Sequence, residues 1–420
     1  MRRIALHGGY FDDNFGDLLL LALFARWIEG VPGDAAPGAG AAPARAAFPL
    51  VPRGQRERFA RHLPGARTGR RHLLLADGLV YAGGGHFGEP GAGGAHAYGT
   101  AWAERFLARH VPPARAFGLR RRPWLVAGVG AGPLSDPRVR EAARRILAGA
   151  TEVSVRDEPS RRFLVEDLDV GREVLVHPDP ALALAWGDVP AAATGAARAR
   201  LDGLAPGPRL GIHHPRDWLL DAPGARAARQ ALHEALARER DVAAFVFSDN
   251  ADRESAPRLA AGIEAASGRT CAHAPFEDAW TTAATVGLLD AVLTTKLHVG
   301  IVAWALGVEV RAFAIHPKVP RFHAQVGRED RCTMLDAVTP EIARHAIDAA
   351  IEAARRRAAD VGAGPRAAGP GDAAGVGTEG GTVAGTERAR LRAAALGNAR
   401  LVARFLAGLD GARGPGAPDR

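Results

Sequence analysis

Trp124-Leu125-Val126-Ala127-Gly128-Val129-Gly130 is an apolar run that enters a glycine turn. Glu152-Val153-Ser154-Val155 follows it after one helix length, and Glu173-Val174-Leu175-Val176 after another. Short apolar strands separated by helical stretches of this kind predict an open, mostly parallel sheet with helices on both faces. Upstream, Ile4-Ala5-Leu6, Leu73-Leu74-Leu75 and Leu79-Val80-Tyr81 read as strands, and residues 18–28 as a helix. Downstream the alternation starts again. Strands are expected at 209–212, 242–247, 289–293 and 308–315, and helices at 225–238 and 297–306.

The fold class is therefore α/β, with two Rossmann-like domains facing a cleft. The boundaries expected are 1–190 for an N-terminal domain and 209–357 for a C-terminal one. An Ala/Gly/Pro-rich linker lies between them at 191–208. A Gly/Ala-rich segment at 358–387 has almost no large apolar residue, so it buries too little to offset its ordering entropy and is expected to be flexible. A last helix is expected at 388–410.

Composition excludes several classes. The 420 residues are 47% hydrophobic and 24% charged, which suits a globular chain with a sizeable core. The formal charge is +8, but Lys296 and Lys318 are the only lysines among 54 basic residues. The arginines are scattered rather than striped and no nucleic-acid motif occurs, so no nucleic-acid partner is expected. Cys271 and Cys332 are the only cysteines, too few for a disulfide framework or a cysteine-based zinc cluster. No apolar run is long enough for a membrane span, and the first residues lack the apolar core of a signal peptide. The expectation is a cytoplasmic protein in a reducing compartment.

In open α/β sheets, ligands bind beyond the carboxyl ends of the strands. After the first strand come Gly8-Gly9 and then Asp12-Asp13-Asn14-Phe15-Gly16-Asp17. Asp17 suits either a helix cap or an acceptor of a proton. Gly83-Gly84-Gly85-His86 offers free backbone N–H groups to an anion, or is a plain turn. Arg156 can hold a carboxylate or phosphate bidentately, while Asp157 and Ser160 suit capping. Asp179 between Pro178 and Pro180 is either a ligand-facing acid or a turn former. His213 and His214 are adjacent, hence expected to diverge, with no further ligand at metal-binding spacing. Arg216 is a second anion-binding candidate. Lys296 and His298 stand at a strand-to-helix junction, where ammonium, imidazole and helix dipole converge on a site suited to a phosphorylated substrate. Lys318, with His316, follows the next strand on the same expected edge.

Taken in order, Asn14-Phe15-Gly16-Asp17, Gly83-Gly84-Gly85, Ser154-Val155-Arg156-Asp157, Asp179-Pro180-Ala181-Leu182, Leu297-His298 and Pro317-Lys318-Val319 resemble the polysaccharide pyruvyl transferase family. The resemblance spans residues 4–322. It implies the glycosyltransferase type B architecture and transfer of a pyruvyl group from phosphoenolpyruvate to sugar hydroxyls, giving a pyruvate ketal and phosphate. By position it implies that Arg156 and Lys296 bind the donor and that His298 is catalytic. Here lysine stands where arginine is usual, which keeps the charge and loses the bidentate fork. Asp12 and Asp13 stand where small or aromatic residues are common. Gly84, Gly85, Arg216, Lys318 and Asp13 complete the expected substrate contacts, and Asp17 joins His298 as a catalytic candidate. The acceptor is expected on the N-terminal side and the donor on the C-terminal side. No metal or organic cofactor is implied, and the acceptor is a glycan or glycolipid whose carrier would bring peripheral contact with a membrane. A nucleotide-sugar glycosyltransferase of similar fold and a non-catalytic binding protein are the alternatives; the oligomeric state is not legible.

Overall fold

The computed structural model describes residues 1–9, 14–31, 44–89, 99–362 and 383–411. It separates into two units. The first comprises Met1–Asp12, Asp17–Ala183 and Leu391–Arg420, and the second Asp13–Gly16 and Leu184–Arg390. Among the described residues, no helix is long and apolar enough to cross a membrane.

The first unit holds seven strands: β1 (Arg3–His7), β2 (Arg45–Phe48), β3 (Arg67–Thr68), β4 (Gly78–Phe87), β5 (Trp124–Ala131), β6 (Val153–Val155) and β7 (Leu175–Val176). Their order is β3-β2-β1-β4-β5-β6-β7, and every pairing is parallel. A parallel sheet covered on both faces needs strands that are apolar throughout. Accordingly β5 is buried from Leu125 to Ala131.

The second unit repeats the plan with β8 (Arg209–His213), β9 (Ala243–Phe247), β10 (Ala272–Ala274), β11 (Ala291–Thr294), β12 (Glu309–Ala314) and β13 (Cys332–Met334). Its order is β10-β9-β8-β11-β12-β13, again all parallel. In both sheets the strand order reverses beside the first strand, between β1 and β4 and between β8 and β11. A crevice opens at such a switch point, beyond the carboxyl ends of the two strands.

Four expectations from sequence need correction. Leu73-Leu74-Leu75 is not a strand but part of the short helix His72–Leu75. Its backbone turns on the Gly69 carbonyl, and Leu74 and Leu75 face solvent. The first half of the expected linker is the helix Ala191–Leu201. Alanine is the best helix former, and Ala193, Thr194, Ala197 and Leu201 fall on one buried face. The helix Pro340–Gly362 runs past position 358, and another, Val383–Ala395, begins before 388; residues 363–382 of the expected flexible segment lie outside the described residues. Finally, the C-terminal stretch is two helices, Val383–Ala395 and Gly397–Gly411, rather than one.

Those last helices are tied to the first sheet by Asn398, which is fully buried. Ser154 Oγ donates to Asn398 Oδ1 (3.0 Å) and accepts from the Gly128 amide (2.9 Å). Asn398 Nδ2 donates to the carbonyls of Pro178 (3.0 Å) and Ala395 (3.2 Å). A buried polar group left without its partner costs about 1–3 kcal/mol. Asn398→Ala is therefore expected to lower the stability of the first unit by about 2 kcal/mol in urea unfolding, whereas substitution of the exposed Arg400 leaves it within about 0.5 kcal/mol.

Candidate functional site

Each switch point gathers polar side chains. In the first unit the chain leaves β1 through Gly8 and Gly9 and enters the helix Phe15–Glu29. Asp17 stands in the first turn of that helix. A Cβ on Gly9 would lie 2.5 Å from its carboxylate. On the other side of the switch point, Gly83-Gly84-Gly85 lies within β4 rather than after it. Gly83 and Gly84 have positive φ (39° and 84°), and the register with β5 shifts between Gly84 and Phe87. A Cβ on Gly84 would meet His86 Nε2 at 2.9 Å and Asp17 Oδ1 at 3.1 Å. The two glycine motifs thus make room for one Asp17–His86 pair. Gly85 is exposed with open space around it.

His86, itself half-buried, adjoins two buried histidines. His7 and His110 exchange a ring hydrogen bond of 2.8 Å, and the His86 ring lies 5.4 Å from that of His110. Burial lowers the pKa of all three, and the nearby Asp17 carboxylate partly offsets this for His86. They are neutral imidazoles at pH 7.

Arg156 leaves β6 with its side chain 11% exposed. Its Nη1 is 3.4 Å from Asp179 Oδ2, and its Nε 3.7 Å from Asp157 Oδ2. The guanidinium lies flat against β5, where a Cβ on Gly130 would come within 2.7 Å of it. Asp157 also caps the helix Glu158–Arg162 through the Ser160 amide (2.8 Å), and Asp179 accepts from the Ala181 amide (3.0 Å). Both acids therefore shape local backbone and hold Arg156 in one pose.

In the second unit, β8 ends at His213 and His214 follows it, while Ser248 and Asp249 follow β9. His214 adopts the left-handed conformation (φ 59°, ψ 65°). For a non-glycine residue that costs about 1–3 kcal/mol unless surrounding contacts over-determine it. Here they do. His214 Nδ1 lies 2.7 Å from Asp249 Oδ1, and its Nε2 3.3 Å from Asp217 Oδ1. Burial by itself would lower the His214 pKa, but the two carboxylates outweigh it and raise it to about 9. Burial likewise opposes ionisation of Asp217, and the imidazolium, Lys296 and Thr295 together hold its pKa below the usual range. His213 Nε2 lies farther from a carboxylate, 3.7 Å from Asp249 Oδ2, and there burial outweighs the acids. His213 contacts Thr294 Oγ1 through Nδ1 (2.8 Å), and burial pushes its pKa down to about 3.

The network continues into the next strand turn. Thr295 Oγ1 donates to Asp217 Oδ2 (2.5 Å), and Lys296 Nζ lies 3.9 Å from the same oxygen. Lys296 is the N-cap residue of the helix Leu297–Ala305, and its amide bonds Thr294 Oγ1 (3.1 Å). Its side chain is 40% exposed. One ammonium thus stands in solvent reach at a helix N-terminus, aimed by a buried acid.

His298 is in the first turn of that helix. The segment Asn14-Phe15-Gly16 clusters with this unit. Asn14 forms an antiparallel bridge with Asn250, and the Phe15 amide donates to the Asp249 carbonyl (2.8 Å). A Cβ on Gly16 would fall 1.9 Å from His298 Nδ1. The Asn-Phe-Gly-Asp motif therefore has a physical reason: its glycine lies directly on the histidine ring.

The other expected residues are more peripheral. Arg216 is exposed on the short helix Pro215–Trp218. Lys318 opens the helix Lys318–Gln325 after β12, which pairs with β11, so both lysines follow adjacent strands. Asp13 lies outside the described residues. The sequence reading missed the linked acids Asp249 and Asp217. The expectation that His213 and His214 find no third ligand also fails geometrically, since their ligand atoms and those of Asp249 lie within 4.8 Å of one another. Both His214 nitrogens are spent on carboxylates, so the group is an ion-paired cluster.

Two outcomes follow for this cluster. The folded-state pKa of His214 lies above its unfolded value of about 6.5. Its contribution is therefore complete below pH 6.5 and is lost as pH rises through about 9. Urea midpoints of the wild type should fall between pH 6.5 and 9.5, and those of His214→Gln should start lower and stay flatter; parallel profiles would refute the ion-pair assignment. Gly16→Ala is expected to destabilise the second unit by about 1–3 kcal/mol through overpacking on His298, read as a lower thermal midpoint.

A family model described as polysaccharide pyruvyl transferase matches residues 14–317. No curated protein matches by sequence. Among solved structures, UDP-GlcNAc 2-epimerase from Neisseria meningitidis bound to UDP-GlcNAc aligns with TM-score 0.57 and 8% identity, covering 85% of this chain and 94% of that one. The S. aureus MnaA–UDP complex aligns with TM-score 0.53 and 9% identity over 88% and 92%. Anabaena HepE in complex with UDP-glucose aligns with TM-score 0.51 and 14% identity over 97% and 100%. At these identities the likeness is one of fold, that of glycosyltransferase-type-B-like enzymes.

Proposed function

The chain belongs to the polysaccharide pyruvyl transferase family, and from that premise we propose that it transfers pyruvate from phosphoenolpyruvate to two hydroxyls of a glycan, as a cyclic ketal with release of phosphate. The observation that carries this reading is Lys296. It is one of two lysines in the chain, and it presents a half-exposed ammonium at a helix N-terminus beside His298.

The donor carries a phosphate and a carboxylate. Lys296 and the first amides of the helix Leu297–Ala305 suit one of them. Arg156 suits the other once its carboxylate partners yield, and Lys318 and Arg216 add positive field. His298 protonates the donor methylene, which leaves a cationic centre at the substituted carbon. A sugar hydroxyl adds there and gives up its proton to a base, for which Asp17 is the candidate. Phosphate departs with its bonding pair and takes up the proton that Asp17 accepted, and a second hydroxyl closes the ketal as its proton returns to His298. Stabilising the charge that develops on the donor is the main contribution asked of the protein. The scheme needs no metal or organic cofactor, and we assign it to the cytoplasm.

His298→Ala is expected to lower turnover about 100-fold or more, as for loss of a general acid. Lys296→Gln should raise the KM for phosphoenolpyruvate about tenfold or more, and Lys296→Arg should restore much of it. Phosphate release in the presence of a glycan acceptor reads both. Unchanged turnover in His298→Ala and Lys296→Gln would overturn the assignment. Release that depends on a nucleotide sugar would favour an ordinary glycosyltransferase.

A further inference from the structure

A separate cavity of about 810 Å³ opens in the first unit, beyond the carboxyl ends of β2 and β3. The chain that leaves β2 supplies Pro49, Leu50 and Val51, which form an apolar wall, and then Arg53 and Arg56. The chain that leaves β3 supplies Arg70 and Arg71. Among the described residues no carboxylate lines the cavity.

Several arginines among the described residues are neutralised. Arg138, Arg161 and Arg355 each hold carboxylates at 2.6–2.9 Å. By contrast, none of Arg53, Arg56, Arg70 and Arg71 forms an ion pair or a side-chain hydrogen bond among the described residues. Arg56 Nε is buried without an acceptor. Its Nη2 lies 3.1 Å from where a Cβ on Gly69 would be, and Gly69 has φ of 124°. The backbone there is shaped to let the guanidinium in. Four like charges around one void repel each other, and a multivalent anion is the ligand that relieves this.

The volume is that of a small-molecule site and exceeds the need of a single phosphate. The apolar wall beside the guanidinium rim suits an anion with an organic tail. We propose that this cavity is a binding site for a diphosphate ester, its phosphates held by Arg53, Arg56, Arg70 and Arg71 and its organic group against Pro49, Leu50 and Val51. Strands are about 4.8 Å apart, so β3 lies roughly 10 Å from β1. The cavity thus opens on the same sheet edge as Gly9 and Asp17, two strands away. This inference does not depend on phosphoenolpyruvate being the donor.

Titration calorimetry of the full chain with inorganic pyrophosphate is the test, repeated with inorganic phosphate, UDP and farnesyl diphosphate. Saturable pyrophosphate binding is expected, tighter than that of phosphate and weakened about tenfold or more in Arg56→Gln and Arg70→Gln. The far-UV spectra and thermal midpoints of these variants should match the wild type. In Lys296→Gln the arginine-dependent phase of pyrophosphate binding should persist, distinct from pyrophosphate held at Lys296. Tighter binding of UDP would identify a nucleoside diphosphate as the source, and tighter binding of farnesyl diphosphate a lipid-linked one. The proposal is overturned by absent saturation, by equal affinity for phosphate and pyrophosphate, or by binding that survives both arginine substitutions and is lost in Lys296→Gln.

Discussion

The imidazolium of His214, clamped in the left-handed region between Asp249 and Asp217, is the interaction on which the second unit's site depends. It joins the ends of three strands. Asp249 comes from β9, His214 from β8, and Asp217 reaches across to Thr295 and Lys296 after β11. Each partner is buried, so removing any one would leave a charge without compensation, which is costlier than never having built the cluster. The same cluster fixes the backbone carbonyl of Asp249, onto which the Phe15 amide docks. Through that docking Gly16 comes to rest on His298. The pose of the lysine, the pose of the histidine and the seat of the Asn-Phe-Gly-Asp motif thus share one foundation.

The first unit solves a similar problem with different chemistry. Arg156 is held by Asp179 and Asp157 against a glycine of β5. Around β1 and β4, small residues rather than charges make the space, and Asp17 with His86 fills it. Positive φ at Gly83 and Gly84 is what lets the strand bulge there. Both sites stand where strand order reverses, the position at which a parallel sheet leaves backbone ends uncovered.

Much of this was legible in the sequence, for identifiable reasons. Buried parallel strands such as β5 and β11 are continuous apolar runs, so their positions could be read directly. Lys296, His298 and Arg156 were found because each directly follows such a run. Leu73-Leu74-Leu75 misled because three leucines look alike in a strand and in a short exposed turn. The linker misled because alanine, counted as low complexity, also forms helix. Asp249 and Asp217 drew no attention in the sequence. Asp249 lies 35 residues from His214, and the approach of Asp217, three residues on, goes with a positive φ at His214 that no local pattern encodes. Gly16 was seen as part of a motif, but only the position of His298 explains why that residue is glycine.

The central claim is pyruvyl transfer from phosphoenolpyruvate with protonation of the donor methylene. The most direct measurement is a reaction in D2O with phosphoenolpyruvate and a glycan acceptor, with the product analysed by mass and by proton NMR. The account predicts a pyruvate ketal whose methyl group carries one deuterium, formed together with one phosphate. A glycan that gains mass only when a nucleotide sugar is supplied, or a ketal methyl free of deuterium, would contradict it.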